Sequence, residues 1–405
     1  MDLSYGSEME GFRDEVVSFV EENWPIKPAE GEEELSFEQQ ASVFRERAIE
    51  RGYLYRNIPK KYGGSEQGAD VIKAQIIREE FARKWAPAEA RGIGTMMLVP
   101  TLLERGEEWQ KEKFVRPTIT GEFTWCQGYS EPGSGSDLAS LNTRGELQGD
   151  EWVINGQKIW TSGAHVADYM FCLVRTEPEA SKHAGISYLL LDMKQPGIDV
   201  RPLRMMTGSA DFNEVFFNDV RTPKDWIVGK RGEGWLVSRT TLKHERNSIG
   251  AAQQTRSALS GLVKLARETT IDGRPAIEHT DIRQALAELE GHVMAHQYSG
   301  YRQLTQDAKG GDAGIINMMM KLFSTEIGHK VAKLSMDLIG DDGLLSAGGA
   351  EMGQRSSTSQ GWIGQYMYSL GIAIAGGTAN VQRNVIAERG LGLPRDAAAN
   401  RSNEK

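Results

Sequence analysis

The sequence predicts an α+β fold in which a β-rich segment lies between two helical segments. Over residues 7–120 apolar side chains recur at helical spacing, and Val16 and Val20 belong to one such stripe. The next hundred residues instead contain short apolar runs bounded by turn residues, at 169–174, 186–191 and 215–217. Long helical stretches return from Gly234 onward. We therefore expect three domains and a polar tail, at 1–122, 123–229, 230–395 and 396–405.

The composition limits the possible classes of function. A chain of 405 residues exceeds the size of one compact core, which agrees with several domains. Its formal net charge of -9 argues against a nucleic-acid partner, because phosphate binding favours a basic face. No apolar run approaches the ~20 residues that a membrane span needs, so no membrane partner is expected.

The cysteines and the N-terminus bear on the cellular compartment. Cys126 and Cys172 are too few for a disulfide framework, and we interpret both as reduced, buried thiols. The chain begins with a polar segment that has no apolar core, so neither a secretory signal nor a transit peptide is predicted. A cytoplasmic location is therefore expected.

Two segments of the β-rich region indicate a cofactor site. Residues 131–137 read Glu-Pro-Gly-Ser-Gly-Ser-Asp, a loop whose free backbone N–H groups can approach an anion such as a pyrophosphate. Residues 152–159 alternate between apolar and polar, which places Trp160 on a strand where its indole can pack against a planar ring. Taken alone, the loop is more typical of a plain turn, so its meaning depends on the other motifs.

Together the two segments resemble the flavin-binding middle domain of the acyl-CoA dehydrogenase family. Residues 155–158 (Asn-Gly-Gln-Lys) and 376–383 (Gly-Gly-Thr-Ala-Asn-Val-Gln-Arg) follow in the family's order and close to its spacing. The resemblance implies the acyl-CoA dehydrogenase fold, with a helical N-terminal domain, a β-barrel-like middle domain and a C-terminal four-helix bundle. It also implies FAD as the cofactor and an acyl-CoA thioester as the substrate.

The resemblance assigns cofactor contacts position by position. They fall on the first motif and the residues before it, on the strand around the tryptophan, and on the C-terminal segment: Gln127, Tyr129, Ser130, Gly135, Ser136, Trp160, Thr161, Ser162, Thr378 and Asn380. Arg274 matches a basic residue that reaches the FAD of a neighbouring subunit, and the alternative of a solvated turn arginine remains open. A dimer or a dimer of dimers is therefore expected.

The catalytic base cannot occupy its usual place. Dehydrogenation of a thioester needs a base for the α-proton, an acceptor for the β-hydride and hydrogen-bond donors at the thioester oxygen. In many members of the family the base is a glutamate directly before Gly-Thr in the C-terminal segment. Here that position is Gly376, which cannot take a proton. Either the chain is inactive or its base lies elsewhere.

Glu245 matches a second position at which the family carries its base, on the long helix that begins the C-terminal domain. Helical spacing places Ser238, Leu242, Ile249 and Ala252 on its face, a desolvated setting suited to a general base. From the local sequence alone, Glu245 is more readily an ordinary surface partner of Lys243, Arg239 or Arg246. The family register favours the base. The resemblance also gives the backbone N–H of Gly376, with a flavin ribityl hydroxyl, as donors to the thioester oxygen.

The helix-borne Glu-Arg pair and the missing C-terminal glutamate resemble the bacterial acyl-CoA dehydrogenases of steroid catabolism. This implies α,β-dehydrogenation to the trans-2-enoyl-CoA, a bulky, branched or steroid-derived acyl group, and a homotetramer or an α2β2 heterotetramer in which this chain is the catalytic type. The implied electron acceptor is an electron-transfer flavoprotein or a similar protein. The alternatives are a relative acting as an oxidase or desulfinase, and a non-catalytic partner subunit, which Glu245 opposes.

The glycine at position 376 admits two interpretations. The lack of a side chain at Gly376 predicts free volume beside the substrate, which would suit a bulky acyl group. Alternatively, Gly376 and Gly377 allow a backbone turn with positive φ or a close approach of the main chain.

Overall fold

The computed structural model describes residues 6–26, 35–68, 70–90, 92–309, 311, 314–348 and 358–394. The polar tail predicted at 396–405 lies outside the described residues. The chain divides into two compact units, 1–125 and 126–405. The finer division at residues 122, 229 and 395 stays a prediction.

The first unit is helical. Its helices are α1 (Ser7–Asn23), α2 (Phe37–Glu50), α3 (Val71–Arg83), α4 (Val99–Arg105) and α5 (Glu108–Thr120). The predicted apolar stripe forms its core, because Val16 and Val20 are fully buried and pack in one cluster with Phe44 of α2. Helix α2 begins at a capping box, in which the Ser36 hydroxyl and the Gln39 amide satisfy each other's backbone N–H groups.

A seven-stranded sheet opens the second unit. Its strands are β1 (Trp125–Gly128), β2 (Arg144–Gln148), β3 (Glu151–Ser162), β4 (Tyr169–Arg175), β5 (Ile186–Asp192), β6 (Ile198–Leu203) and β7 (Phe212–Pro223). Along the sheet the order is β1-β4-β2-β3-β7-β6, and β5 pairs with β4. Strands β4 and β5 coincide with predicted apolar runs because their central residues are buried on both faces, as in the middle of a core.

Helices complete the second unit. They are α6 (Gly234–Ile249), α7 (Ala252–Glu268), α8 (Thr280–Ala308), α9 (Ile315–Ile339), α10 (Ser359–Ile372) and α11 (Ala379–Val385), with a hairpin of β8 (Thr270–Ile271) and β9 (Arg274–Pro275) between α7 and α8. Helix α9 packs against α6, α7, α8, α10 and α11. Leu262, Val293 and Val331, all fully buried, contribute α7, α8 and α9 to one core.

One predicted element differs from the structure. Helix α6 ends at Ile249 and α7 begins at Ala252, with Gly250 and an extended Ala251 between them. Ala252 therefore does not share the helix face of Glu245, contrary to the sequence expectation. A glycine weakens a helix because it has the most backbone freedom to lose, and this one coincides with the break.

Within the described part of the chain, no helix is both long enough and apolar enough to cross a membrane.

Candidate active site

Glu245 and Gly376 lie side by side. Gly376 belongs to the turn that joins α10 to α11, and its φ of +63° falls in the left-handed region that favours glycine. A Cβ built on Gly376 would lie 3.4 Å from the Glu245 Oε1 atom and 2.7 Å from the Ile249 Cδ1 atom. The carboxylate of α6 thus lies beside the point from which a side chain at 376 would project. The two residues predicted to be catalytic are neighbours in the structure.

The predicted free volume at Gly376 is wrong. Ile249 and Glu245, one helical turn apart on α6, already occupy the space that a side chain at this position would need. A contact of 2.7 Å to a Cβ is too short for ordinary packing, so the neighbouring side chain would have to move. The positive φ favours glycine at this position, and the tip of the flexible Ile249 side chain and the Glu245 carboxylate fill the space that a side chain would take.

Among the described residues, Lys321 and Tyr129 interact electrostatically with Glu245. Lys321 of α9 is 1% exposed; burial lowers the pKa of its ammonium group, and the nearby Glu245 carboxylate opposes that shift. Burial, with contributions from Tyr188 and Glu245, raises the pKa of Tyr129 far above its ordinary value. Tyr129 therefore stays neutral at physiological pH, and its ring packs edge-on against Tyr188 at a centroid distance of 6.3 Å. Glu245 itself is partly buried.

The predicted cofactor loop is fixed by a buried ion pair. The Lys158 Nζ atom on β3 lies 2.8 Å from the Glu131 Oε1 atom and donates to the Tyr129 carbonyl at 3.1 Å. The Glu131 carboxylate also accepts from the backbone N–H groups of Asn142 (2.6 Å) and Thr143 (2.9 Å). Burial alone would raise the pKa of Glu131, but Lys158, the Asn142 N–H group and Thr143 outweigh it and lower that pKa.

No sequence motif indicates this ion pair. Lys158 stands at an inward-facing position of the alternating strand pattern, and a lysine buried in this way needs a partner of opposite charge. The pair ties the start of the 131–137 loop to the strand that carries Trp160. The backbone bond from Ile159 N–H to the Ser130 carbonyl, at 2.9 Å, reinforces the same connection.

Trp160 lies at an irregularity of its strand. The β3–β7 register shifts between Lys158 and Thr161, and Trp160 has a φ of +61°. Its indole is 59% exposed and meets the Phe212 ring edge-on. An exposed indole held on a strand is available to stack on a planar ligand. Thr161, in contrast, is fully buried, backbone included, so the structure shows no exposed atom of it that could contact a cofactor.

The other assigned contacts differ in exposure. Gly135, Ser136, Asn380 and Arg274 are exposed, Gln127, Ser130 and Ser162 are partly buried, and Tyr129 is buried. Thr378 has a structural role, because its hydroxyl caps α11 by accepting from the Val381 N–H at 3.2 Å. Arg274 lies on β9, with a guanidinium nitrogen 3.4 Å from His279 Nδ1. These placements leave the assignments as predictions.

The surroundings of Trp160 fit a flavin cofactor. The loop beside β3 offers open space at Gly133 and Gly135, where an added Cβ would meet nothing within 4 Å. The exposed Trp160 indole can supply the contact to the flavin ring. The open glycine loop, which the Lys158–Glu131 pair joins to the same strand, allows the close backbone approach that the pyrophosphate of a dinucleotide needs.

Comparison with known proteins decides the family. Models of the acyl-CoA dehydrogenase N-terminal, middle and C-terminal domains match residues 6–122, 126–220 and 232–391. The chain belongs to the acyl-CoA dehydrogenase family. It is 38% identical over 369 residues to acyl-CoA dehydrogenase IpdE1 of Mycobacterium tuberculosis, an alignment that covers 91% of each chain.

Solved structures agree with this assignment. The ChsE4-ChsE5 complex from Mycobacterium tuberculosis is similar at 28% identity with a TM-score of 0.74, over 98% of this chain and 100% of that chain. The Tcur3481-Tcur3483 steroid ACAD is similar at 28% identity with a TM-score of 0.75, over the same shares. The dehydrogenase is an FAD-dependent oxidoreductase that converts an acyl-CoA thioester to its trans-2-enoyl-CoA.

Proposed function

We propose that Glu245 is the catalytic base of this dehydrogenase and that the backbone N–H of Gly376 donates to the thioester oxygen of the substrate. Glu245 removes the α-proton, which leaves negative charge that spreads onto the thioester oxygen. A donor placed at that oxygen stabilises the charge as it develops. Bound FAD supplies the acceptor for the hydride that leaves the β-carbon.

One observation carries this proposal: the 3.4 Å between the Glu245 Oε1 atom and a Cβ built on Gly376. A base must lie within reach of the proton that it removes, and a donor within reach of the oxygen that gains charge. The α-proton and the thioester oxygen both lie at the thioester end of the acyl group. The carboxylate and the turn are close enough to serve them together. Within the described residues the Gly376 N–H donates no other hydrogen bond.

Substrate class and assembly follow from the relatives. Because one similar structure is named a steroid ACAD, we infer that the acyl group is bulky and steroid-derived. Because one similar structure is described as the ChsE4-ChsE5 complex, we infer an assembly of two or more chains, as a homotetramer or an α2β2 heterotetramer. Light scattering on the purified flavoprotein tests the assembly, and a monomer with one FAD per chain would contradict it. An electron-transfer flavoprotein or a similar protein is the inferred acceptor.

Glu245→Gln tests the base. The amide keeps the size of the side chain but cannot take a proton, so anaerobic flavin bleaching by substrate should slow by at least ~100-fold. FAD content and substrate binding should persist.

The acyl class is tested with a panel of thioesters that runs from butanoyl-CoA to steroid-derived CoA esters. The thioester that bleaches the wild-type flavin fastest identifies the class.

Lys243→Gln is the matched control. Lys243 is an exposed residue of the same helix, so its loss should leave bleaching unchanged. Near-normal bleaching in Glu245→Gln would exclude Glu245 as the base. Faster reduction by butanoyl-CoA than by every steroid-derived ester would refute the inferred acyl class without affecting the base.

A further inference from the structure

Lys321 is a charged residue in the interior of the second unit. It lies on α9 within the apolar run 318–323, and only 1% of the residue is exposed. A buried ammonium group is costly unless hydrogen bonds and nearby charges compensate it. The groups at the end of this side chain therefore show what the lysine stabilises.

The Lys321 ammonium group is bonded to the turn that contains Gly376. Its Nζ atom donates to the Gly377 carbonyl at 2.8 Å and lies 3.5 Å from the Ala373 carbonyl. Ala373 is the C-terminal cap of α10, and a cation is favourable at the negative end of a helix. One side chain of α9 thus holds the turn on both sides of Gly376.

A second buried side chain holds the same turn. The Gln382 Nε2 atom of α11 lies 3.4 Å from the Gly376 carbonyl, and Gln382 is 4% exposed. A Cβ on Gly377 would come within 2.5 Å of this amide nitrogen. The carbonyls of both glycines are therefore engaged by the protein interior, whereas the Gly376 N–H remains available to a ligand.

The charge of Lys321 also acts on Glu245. The carboxylate counters the effect of burial on the pKa of Lys321, and by the same interaction the ammonium group favours the ionised carboxylate. Among the described residues, Tyr129 also interacts electrostatically with Glu245, and burial keeps it neutral. A base must be ionised to accept a proton.

We propose that Lys321 is a positioning residue for the dehydrogenation: it holds the Gly376–Gly377 turn so that the Gly376 N–H faces the substrate, and it places a positive charge near the Glu245 carboxylate. The inference rests on the roles proposed above for Glu245 and Gly376. Lys321 acts through these two groups and does not itself contact the substrate.

Two variants separate the hydrogen bond from the charge. Lys321→Met removes both, and the kcat should fall by about 100-fold, the order expected when a reacting group is misplaced by an ångström. Lys321→Gln keeps an amide donor but no charge. It should recover part of the kcat, while the acidic limb of the kcat/KM profile moves to higher pH, because loss of the Lys321 charge lets the Glu245 carboxylate take up a proton more readily. KM should change less than kcat in both variants.

Lys330→Met is the control on the same helix. Lys330 is exposed and pairs with Glu288 across 3.1 Å at the surface, so kcat and the pH profile should stay at wild-type values. FAD content and melting temperature are measured for every variant. If Lys321→Met does not retain FAD, the kcat and the pH profile of Lys321→Gln alone test the inference.

The inference is overturned if Lys321→Met keeps its kcat within about twofold of the wild type. It is also overturned if Lys321→Gln loses activity with an unmoved acidic limb, which is the result expected of a residue needed only for folding. Normal bleaching by Glu245→Gln would instead remove the proposed function. An inactive Glu245→Gln beside a fully active Lys321→Met would remove this inference alone.

Discussion

Replacement of Lys158 by methionine should destabilise the second unit strongly. Lys158 is fully buried and Glu131 is 8% exposed, so their ion pair is shielded from solvent. Methionine has nearly the length of lysine and fills the same space, but it leaves the Glu131 carboxylate without its cation and the Tyr129 carbonyl without its donor.

The magnitude follows from the burial of the pair. Removal of one partner of a buried ion pair costs about 3–5 kcal/mol, because an uncompensated charge remains inside the protein. For a unit of this size the melting temperature falls by about 2 °C per kcal/mol, which gives about 6–10 °C. Two backbone N–H groups still bind Glu131 in the variant, so we expect the lower part of this range.

Differential scanning fluorimetry of the purified flavoprotein measures the shift, and flavin absorbance per chain shows whether the 131–137 loop still holds the cofactor. Lys182→Met is the control, because its ion pair with Asp137 is exposed and such pairs contribute at most about 1 kcal/mol. Adding Glu131→Gln to Lys158→Met should restore part of the stability, since it removes the unpaired charge. An equal shift for Lys158→Met and Lys182→Met would refute the reasoning.

Two further predictions concern the same structural features. Because the pKa of Glu131 is lowered in the fold, its contribution is complete above the ordinary carboxyl pKa, about 4.3, and is lost as the pH falls below it. Melting temperatures between pH 6 and pH 3 should therefore fall more steeply for the wild type than for Glu131→Gln/Lys158→Met, and parallel curves would contradict this. Gly376→Ala should slow turnover of butanoyl-CoA and of bulky thioesters alike, because its Cβ meets Ile249 and its φ is positive. A selective loss on bulky thioesters would show that Gly376 provides substrate room after all.

The sequence predicted the elements whose patterns are local. Strand β5 was recognised from a run of apolar residues, since a strand buried on both faces has no other pattern. The neighbouring positions of Glu245 and Gly376 agree with the family register, which encodes a spatial arrangement that no local pattern contains. The break after Ile249 was missed because a single Gly250 within a helical pattern is compatible with a continuous helix.

Contacts between distant segments could not be predicted. Lys158 and Glu131 belong to different motifs, and neither motif indicates that their side chains meet. Lys321 gave one signal, a single charge in an apolar helical run, but its partners at Ala373 and Gly377 follow only from the packing of α9 against α10. The occupied space beside Gly376 was equally hidden, because the occupant, Ile249, lies on another helix.

The position of Glu245 has a mechanical consequence. A glutamate in the Gly-Gly turn would carry its carboxylate on the same segment as the backbone donor, so that base and donor would move together. In the site proposed here the base belongs to α6 and the donor to the turn before α11, so their relative placement would depend on the packing between these elements. The contacts that set it are those of Ile249 against Gly376 and of Lys321 against the turn. Since a displacement of one ångström can cost about 100-fold in rate, the proposed site predicts that residues which never touch the substrate control its turnover.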